Sequence, residues 1–206
     1  MPLEQWWHST WSDLGLPLPE PQLLHALLAR YAEPHRSYHT AQHLEECHDH
    51  FARSRALAHE PGAVQLALWF HDAIYDTRSP HNEDQSAAWA VQVLAAAGAP
   101  DRLKSSVETM VLATKHNAAP NSPDAALTVD IDLSILGASP PRFDEYEAQV
   151  RHEYAWVPEE AFRSARGRIL AEFLGRPRIY LTDLFYQTLE GQARSNLRAS
   201  LARLGA

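Results

Sequence analysis

The sequence predicts an all-α protein, a single-domain bundle of roughly nine or ten helices. Apolar residues recur at helical spacing almost throughout, as in Leu23, Leu24, Leu27, Leu28 and Tyr31, and again in Leu103, Val107, Met110, Val111 and Thr114. Pro and Gly punctuate that pattern in "LPLPEP", "EPG", "GAPD" and "GASPP". No internal repeat, low-complexity run or linker interrupts the 206 residues, and 45% hydrophobic residues are enough to fill one core.

The first helix is expected over 3–14, with Trp6, Trp7 and Trp11 at helical spacing, which assigns them to packing rather than to a ligand-stacking platform. The second follows "LPLPEP" over 20–32. The third, over 40–58, carries His43 one turn beyond His39, and its "EECHDHF" reads as a solvated face. The fourth, over 61–75, opens after "EPG" and holds "LALWFHDAIYDT". A polar turn, "RSPHNED", leads into 82–97, and "GAPD" into an amphipathic helix over 101–117 that ends on Lys115 and His116. Over 125–136 the segment "VDIDLSI" alternates with period two, the pattern of a strand, but a lone strand leaves its backbone groups unpaired, so a helix is expected there. Helices over 140–155, 158–175 and 182–204 complete the chain. Residues 1–32 and 140–204 are expected to pack on a central part that holds the site.

A formal charge of −8 argues against a surface that coats nucleic acid, since phosphate backbones are bound through excess Lys and Arg. Cys47 is the only cysteine, so no intrachain disulfide forms and a reducing compartment is the simpler reading. No leader pattern or membrane-length apolar run is present, and the protein is expected in the cytoplasm, with no membrane partner.

The dipeptide His71-Asp72 is a candidate site by its context. With 12 His in the chain, His-Asp pairs arise by chance, and His48-Asp49 lies among polar groups. His71-Asp72 instead sits between Leu66, Leu68, Trp69, Phe70 and Ala73, Ile74, Tyr75, where a charged aspartate is desolvated unless paired or metal-bound. Its alternative is an internal hydrogen bond that satisfies the core. "RSYHTAQH" offers His39 and His43 as a chelating pair; it is not a zinc-protease helix, because Thr40 stands where that motif needs Glu. Asp130 and Asp132 lie among Val, Ile and Leu and need cations or donors. Lys115 and His116 are a helix-terminal positive charge or an anion contact.

Taken in order on an all-helical background, His39, His71-Asp72 and Asp132 resemble the HD superfamily of metal-dependent phosphohydrolases, in particular its bacterial group of predicted metal-dependent phosphohydrolases. "YAEPHRSYHTAQHLEEC", "ALWFHDAIYD", "NEDQSA", "LATKH", "DIDLSILG", "RHEYAWVP" and "RPRIYLT" are similar to segments of that group, over residues about 30 to 200. The resemblance implies that His39, His71, Asp72 and Asp132 hold one divalent metal, with Asp132 chosen over Asp130 because it directly precedes Leu133. Two imidazoles and two carboxylates suit Mn first, with Fe, Co, Ni, Zn or Mg as further choices. Such an ion acidifies a bound water and polarises a phosphoryl oxygen of a small phosphorylated substrate, a nucleotide being the expected class. Asp76 matches the second acid of the pair that follows the HD dipeptide in alarmone hydrolases of the superfamily; Tyr75 replaces the first. Glu83 is the reserve acid or base. Arg36, His43, Lys115 and His116 are the expected contacts to phosphate.

Three rivals remain. An HD-fold oxygenase with two irons needs two more histidines between His71-Asp72 and Asp132, and only His81 and His116 are available there. A non-catalytic nucleotide sensor is motivated by Tyr75. A His-rich metal buffer is motivated by the six histidines between residues 35 and 59, which do not share one helical face.

Overall fold

The computed structural model describes residues 2–205, and among them the regular structure is ten α-helices and two short 3-10 segments, with no strand. No helix is long and apolar enough to cross a membrane. The chain gathers into two compact units, one ending at Asp132 and the other beginning at Leu133.

The first unit contains α1 (Leu3–Leu14), α2 (Pro21–Tyr31), α3 (Ala41–Ser54), α4 (Pro61–Phe70), α5 (Asn82–Ala96), α6 (Asp101–Ala113) and α7 (Pro123–Asp132). Its axis is α4, buried at every residue from Gly62 to Phe70. A helix apolar on all sides has to be enclosed, and α1, α3, α5, α6 and α7 all pack on this one. The tryptophans of α1 serve that packing, with Trp7 edge-on to Trp69 at 5.2 Å between ring centroids. A buried polar chain runs through the same contact: the Trp69 indole N–H donates to the Thr10 hydroxyl (3.0 Å), which donates to the Trp6 carbonyl (2.8 Å). At the other end, the buried Asp124 carboxylate on α7 accepts the backbone N–H groups of His59 and Glu60, both at 2.8 Å, and so fixes where α4 begins.

At Gly62 the backbone of α4 packs directly against that of α1. A Cβ there meets the Leu14 backbone N at 2.7 Å and the Asp13 backbone carbon at 2.8 Å. Alanine gains about 1 kcal/mol of helix propensity over glycine, but backbone atoms cannot rotate out of the way as a side chain does. Gly62→Ala is therefore expected to destabilise the protein by about 1–3 kcal/mol, read as a lower urea midpoint at unchanged slope.

The second unit holds a 3-10 segment (Leu133–Gly137), α8 (Pro140–Glu153), α9 (Glu159–Gly175) and α10 (Asp183–Leu204). Buried polar groups of α10 organise it. Glu190 accepts the N–H groups of Ile179 (3.0 Å) and Tyr180 (3.2 Å), Asn196 donates to the Leu136 and Ala138 carbonyls at 2.9 Å each, and Ser200 donates to Glu147 at 2.6 Å.

The helices expected from the sequence are present, with four clearly shortened at their C-terminal ends, among them the one over 101–117, which ends at Ala113. The helix expected over 40–58 ends at Ser54 and passes into a 3-10 turn, Arg55–Leu57; the one over 61–75 ends at Phe70; the one over 125–136 ends at Asp132. "VDIDLSI" is helical, as its lack of a partner strand requires. The reading of "EECHDHF" as a solvated face is corrected: His43, Leu44, Cys47, His48, Phe51 and Ser54 form the buried stripe of α3, and His48 is fully enclosed.

Candidate metal centre

Four side chains converge where α4 ends. His71 follows the last residue of α4, Asp72 comes next, His43 projects from the first turn of α3, and Asp132 closes α7. One ligand atom from each lies within 4.8 Å of all the others. His43 Nε2 is 3.0 Å from His71 Nε2, His71 Nε2 is 2.9 Å from Asp72 Oδ2, and Asp132 Oδ1 is 3.4 Å from His43 Nε2 and 3.5 Å from His71 Nε2. Ligands about 2.1 Å from one ion stand roughly 3.0 Å apart at octahedral corners and about 3.4 Å apart at tetrahedral ones. The observed separations match that spacing, so the group could hold a metal ion.

The histidine tautomer agrees. His71 Nδ1 is 2.8 Å from the Leu68 carbonyl, which can only accept, so Nδ1 carries a hydrogen and Nε2 is the nitrogen turned to the group, able to bind an ion once its own proton is displaced. Electrostatics bind the four tightly. Burial pushes His43 and His71 down, but Cys47, Tyr38 and the two carboxylates around His43, and Asp72 and Asp132 around His71, reverse this and hold both well above the usual imidazole range. Burial pushes the Asp72 and Asp132 carboxyls up, and the histidines reverse that in turn, His71, His39 and His43 for Asp72 and His116, His43 and His71 for Asp132; both stay well below the usual carboxylate range.

Of the four sequence-predicted ligands, the structure brings His71, Asp72 and Asp132 together. His39 is not in the group. It precedes α3, and its ring stacks on Tyr75 at 4.0 Å between centroids, 6.0 Å from the His43 ring. His43, expected to contact substrate, is the second imidazole of the group. His116 does reach the site, 2.9 Å from Asp132 Oδ2, and its backbone lies in the left-handed region at φ 55°, a conformation that costs a β-carbon residue about 1–2 kcal/mol.

Arg36 is buried and turned to the backbone. It donates to Glu33 (3.1 Å), to the carbonyl of His39 (3.2 Å) and to those of Asp72 (2.6 Å) and Ala73 (3.1 Å), between the rings of Tyr31 and Tyr75. The expected phosphate contact is thus replaced by a clamp that holds the His71-Asp72 segment in place. Lys115 pairs with Asp84 at 2.5 Å, joining the end of α6 to the start of α5. Asp76 is exposed, and its carboxylate accepts the Arg78 N–H at 2.9 Å within its own turn. Glu83 is half-buried on the stripe that α5 turns inward with Ser86, Ala87 and Ala90. Among the described residues it has no hydrogen-bond or ion-pair partner. Ser86, three residues on, accepts the Ile74 N–H at 3.0 Å, which ties this stripe to the segment after Asp72. His81 is exposed in its turn beside Asp84, at 3.4 Å.

Sequence reasoning missed Cys47 as a donor. It lies one turn after His43 on α3, buried, with Sγ 3.7 Å from His43 Nε2, and it forms a second possible ligand group with His43 and His71. The spacing of four between His43 and Cys47 was the available signal.

Compared with family models, curated proteins and solved structures, the chain matches none.

Proposed function

We propose that this protein is a metal-dependent phosphohydrolase of the HD type, acting on a small phosphorylated molecule, with nucleotides as the first class to test. The observation that carries this reading is the convergence of His43, His71, Asp72 and Asp132 at ligand spacing, in the sequence order that the resemblance implies apart from the first histidine. When bound, a divalent ion there supplies Lewis-acid polarisation of a phosphoryl oxygen and a water acidic enough to react at neutral pH. The chain supplies the rest. His71 is oriented by Leu68, Asp72 by the Arg36 clamp on its own carbonyl, and Asp132 by His116. Glu83 is the proton-handling group we assign, because it is half-buried and unpaired whereas Asp76 is committed to its turn. Lys115 and His116, just after α6, are the groups we assign to meet phosphate charge.

The test is a phosphate-release screen over nucleotides with Mn, Co, Ni, Mg and Zn, run beside Asp72→Ala and Glu83→Gln. Asp72→Ala is expected to fall to background. Glu83→Gln is expected to lose roughly 10²–10⁴-fold in kcat while still binding metal. Activity unchanged in Asp72→Ala removes the reading. A second reading, a nucleotide sensor that retains the metal, is favoured by the Asp76 turn and by Tyr75 stacked on His39; it predicts nucleotide binding without turnover under every metal in the screen.

A further inference from the structure

The two imidazoles of the candidate centre belong to two donor sets at once. With Asp72 and Asp132 they form the oxygen-rich set described above; with Cys47 they form a sulfur-containing one, whose three ligand atoms also lie within 4.8 Å of one another. Cys47 is 1% exposed, and its Sγ stands 3.7 Å from His43 Nε2 and 3.8 Å from His43 Nδ1. With a metal–sulfur bond of about 2.3 Å and a metal–nitrogen bond of about 2.1 Å, neighbouring tetrahedral ligands lie about 3.6 Å apart. The thiol is already at that spacing.

We infer that His43, Cys47 and His71 form a thiophilic metal site that overlaps the working site and competes with it. Both sets need the His43 ring and His71 Nε2, since His71 Nδ1 is held by the Leu68 carbonyl, so one ion excludes the other. Softness decides which wins: thiolate selects Zn²⁺, Cd²⁺ or Cu⁺, whereas two carboxylates and two imidazoles accept Mn²⁺. As the sulfur–metal bond forms, the thiol proton leaves to bulk water, and the ion is held by Cys47 in place of Asp72 and Asp132. A soft ion therefore silences the site that Mn²⁺ activates, and Cys47 is the residue that gives it that affinity. This consequence rests on the function proposed above; the competition itself is a binding statement with its own readout.

The experiment is a Cd²⁺ titration of the whole chain, followed by ultraviolet sulfur-to-cadmium charge-transfer absorption, beside a Mn²⁺ titration followed by electron paramagnetic resonance. Wild-type protein is expected to develop the cadmium band at one ion per chain and to release bound Mn²⁺ in step with it. Cys47→Ser is expected to lose the band, to bind Cd²⁺ more than about 100-fold more weakly and to keep its Mn²⁺ affinity; Cys47→Ala replaces it if the serine variant does not fold. Cadmium binding without a sulfur band, a band that persists in the variant, or Cd²⁺ and Mn²⁺ bound together would each overturn the inference. A cadmium band in a wild-type protein that takes up no Mn²⁺ would overturn the functional reading and the competition with it.

Discussion

His43→Ala is expected to weaken Mn²⁺ binding by more than about 100-fold, close to 2.7 kcal/mol, while His39→Ala weakens it by less than about tenfold. The contrast follows from where the two rings stand. His43 Nε2 lies 3.0 Å from His71 Nε2 and 3.4 Å from Asp132 Oδ1, inside the spacing of one coordination sphere. The His39 ring is stacked on Tyr75, and its charge reaches Asp72 without joining the four donors. Removing a donor costs a bond to the ion; removing a neighbour costs only orientation. Isothermal titration or Mn²⁺ paramagnetic resonance on the two variants checks this, and equal losses would return the first-ligand role to His39. The affinity is also expected to rise with pH, because the ion must displace the protons that Cys47, Tyr38 and the carboxylates favour on His43 and that Asp72 and Asp132 favour on His71.

The helical class was legible because it depends on local spacing and punctuation, and Pro21, Pro61, Pro123 and Pro140 do stand at the first positions of their helices. The end of α4 was not legible. Apolar residues continue past Phe70, yet the helix stops where partners distant in sequence take the backbone carbonyls: Tyr31 that of Trp69 in its last turn, and Arg36 those of Asp72 and Ala73 just beyond it. His71, Asp72 and Asp132 could be picked out, since each is an ionisable group in an apolar segment. The choice between His39 and His43 could not be made from spacing, as both fit one turn of one face. It depends on α3 beginning at Ala41, which leaves His39 in the preceding turn. His48 is the reverse case. Its neighbours Glu45, Glu46, Asp49 and His50 make the stretch look wet, but its own place one turn after Leu44 and one turn before Phe51, beside Cys47, marks the buried stripe.

That burial gives His48 a measurable role in stability. Its ring is fully enclosed, stacked on Trp6 at 5.7 Å and tilted against Trp69 at 4.5 Å, and among the described residues neither ring nitrogen has a hydrogen-bond partner. Burial, with the nearby His71 second, pushes its pKa down to about 3. In the unfolded chain the same imidazole titrates near 6.5. Between those values the unfolded state binds a proton that the folded state refuses, so stability falls as pH falls, by about 1.4 kcal/mol per unit at most and about 5 kcal/mol across the whole window. The other shifted groups act mainly elsewhere. Asp72 and Asp132, held low, lose their contribution only below the ordinary carboxylate range, and His43 and His71, held high, act above pH 6.5. His50, pushed down by burial and Arg53, acts in the same direction in wild type and variant alike. His48→Phe keeps the stacked ring and removes the proton, and no hydrogen bond is lost with it. The variant is expected to match or exceed wild type at pH 7 and to be more stable than wild type by about 2–3 kcal/mol at pH 4.5, read from urea midpoints at the two pH values. Parallel acid limbs for the two proteins would mean that His48 takes up its proton in the folded state and that the ring is not sealed from solvent.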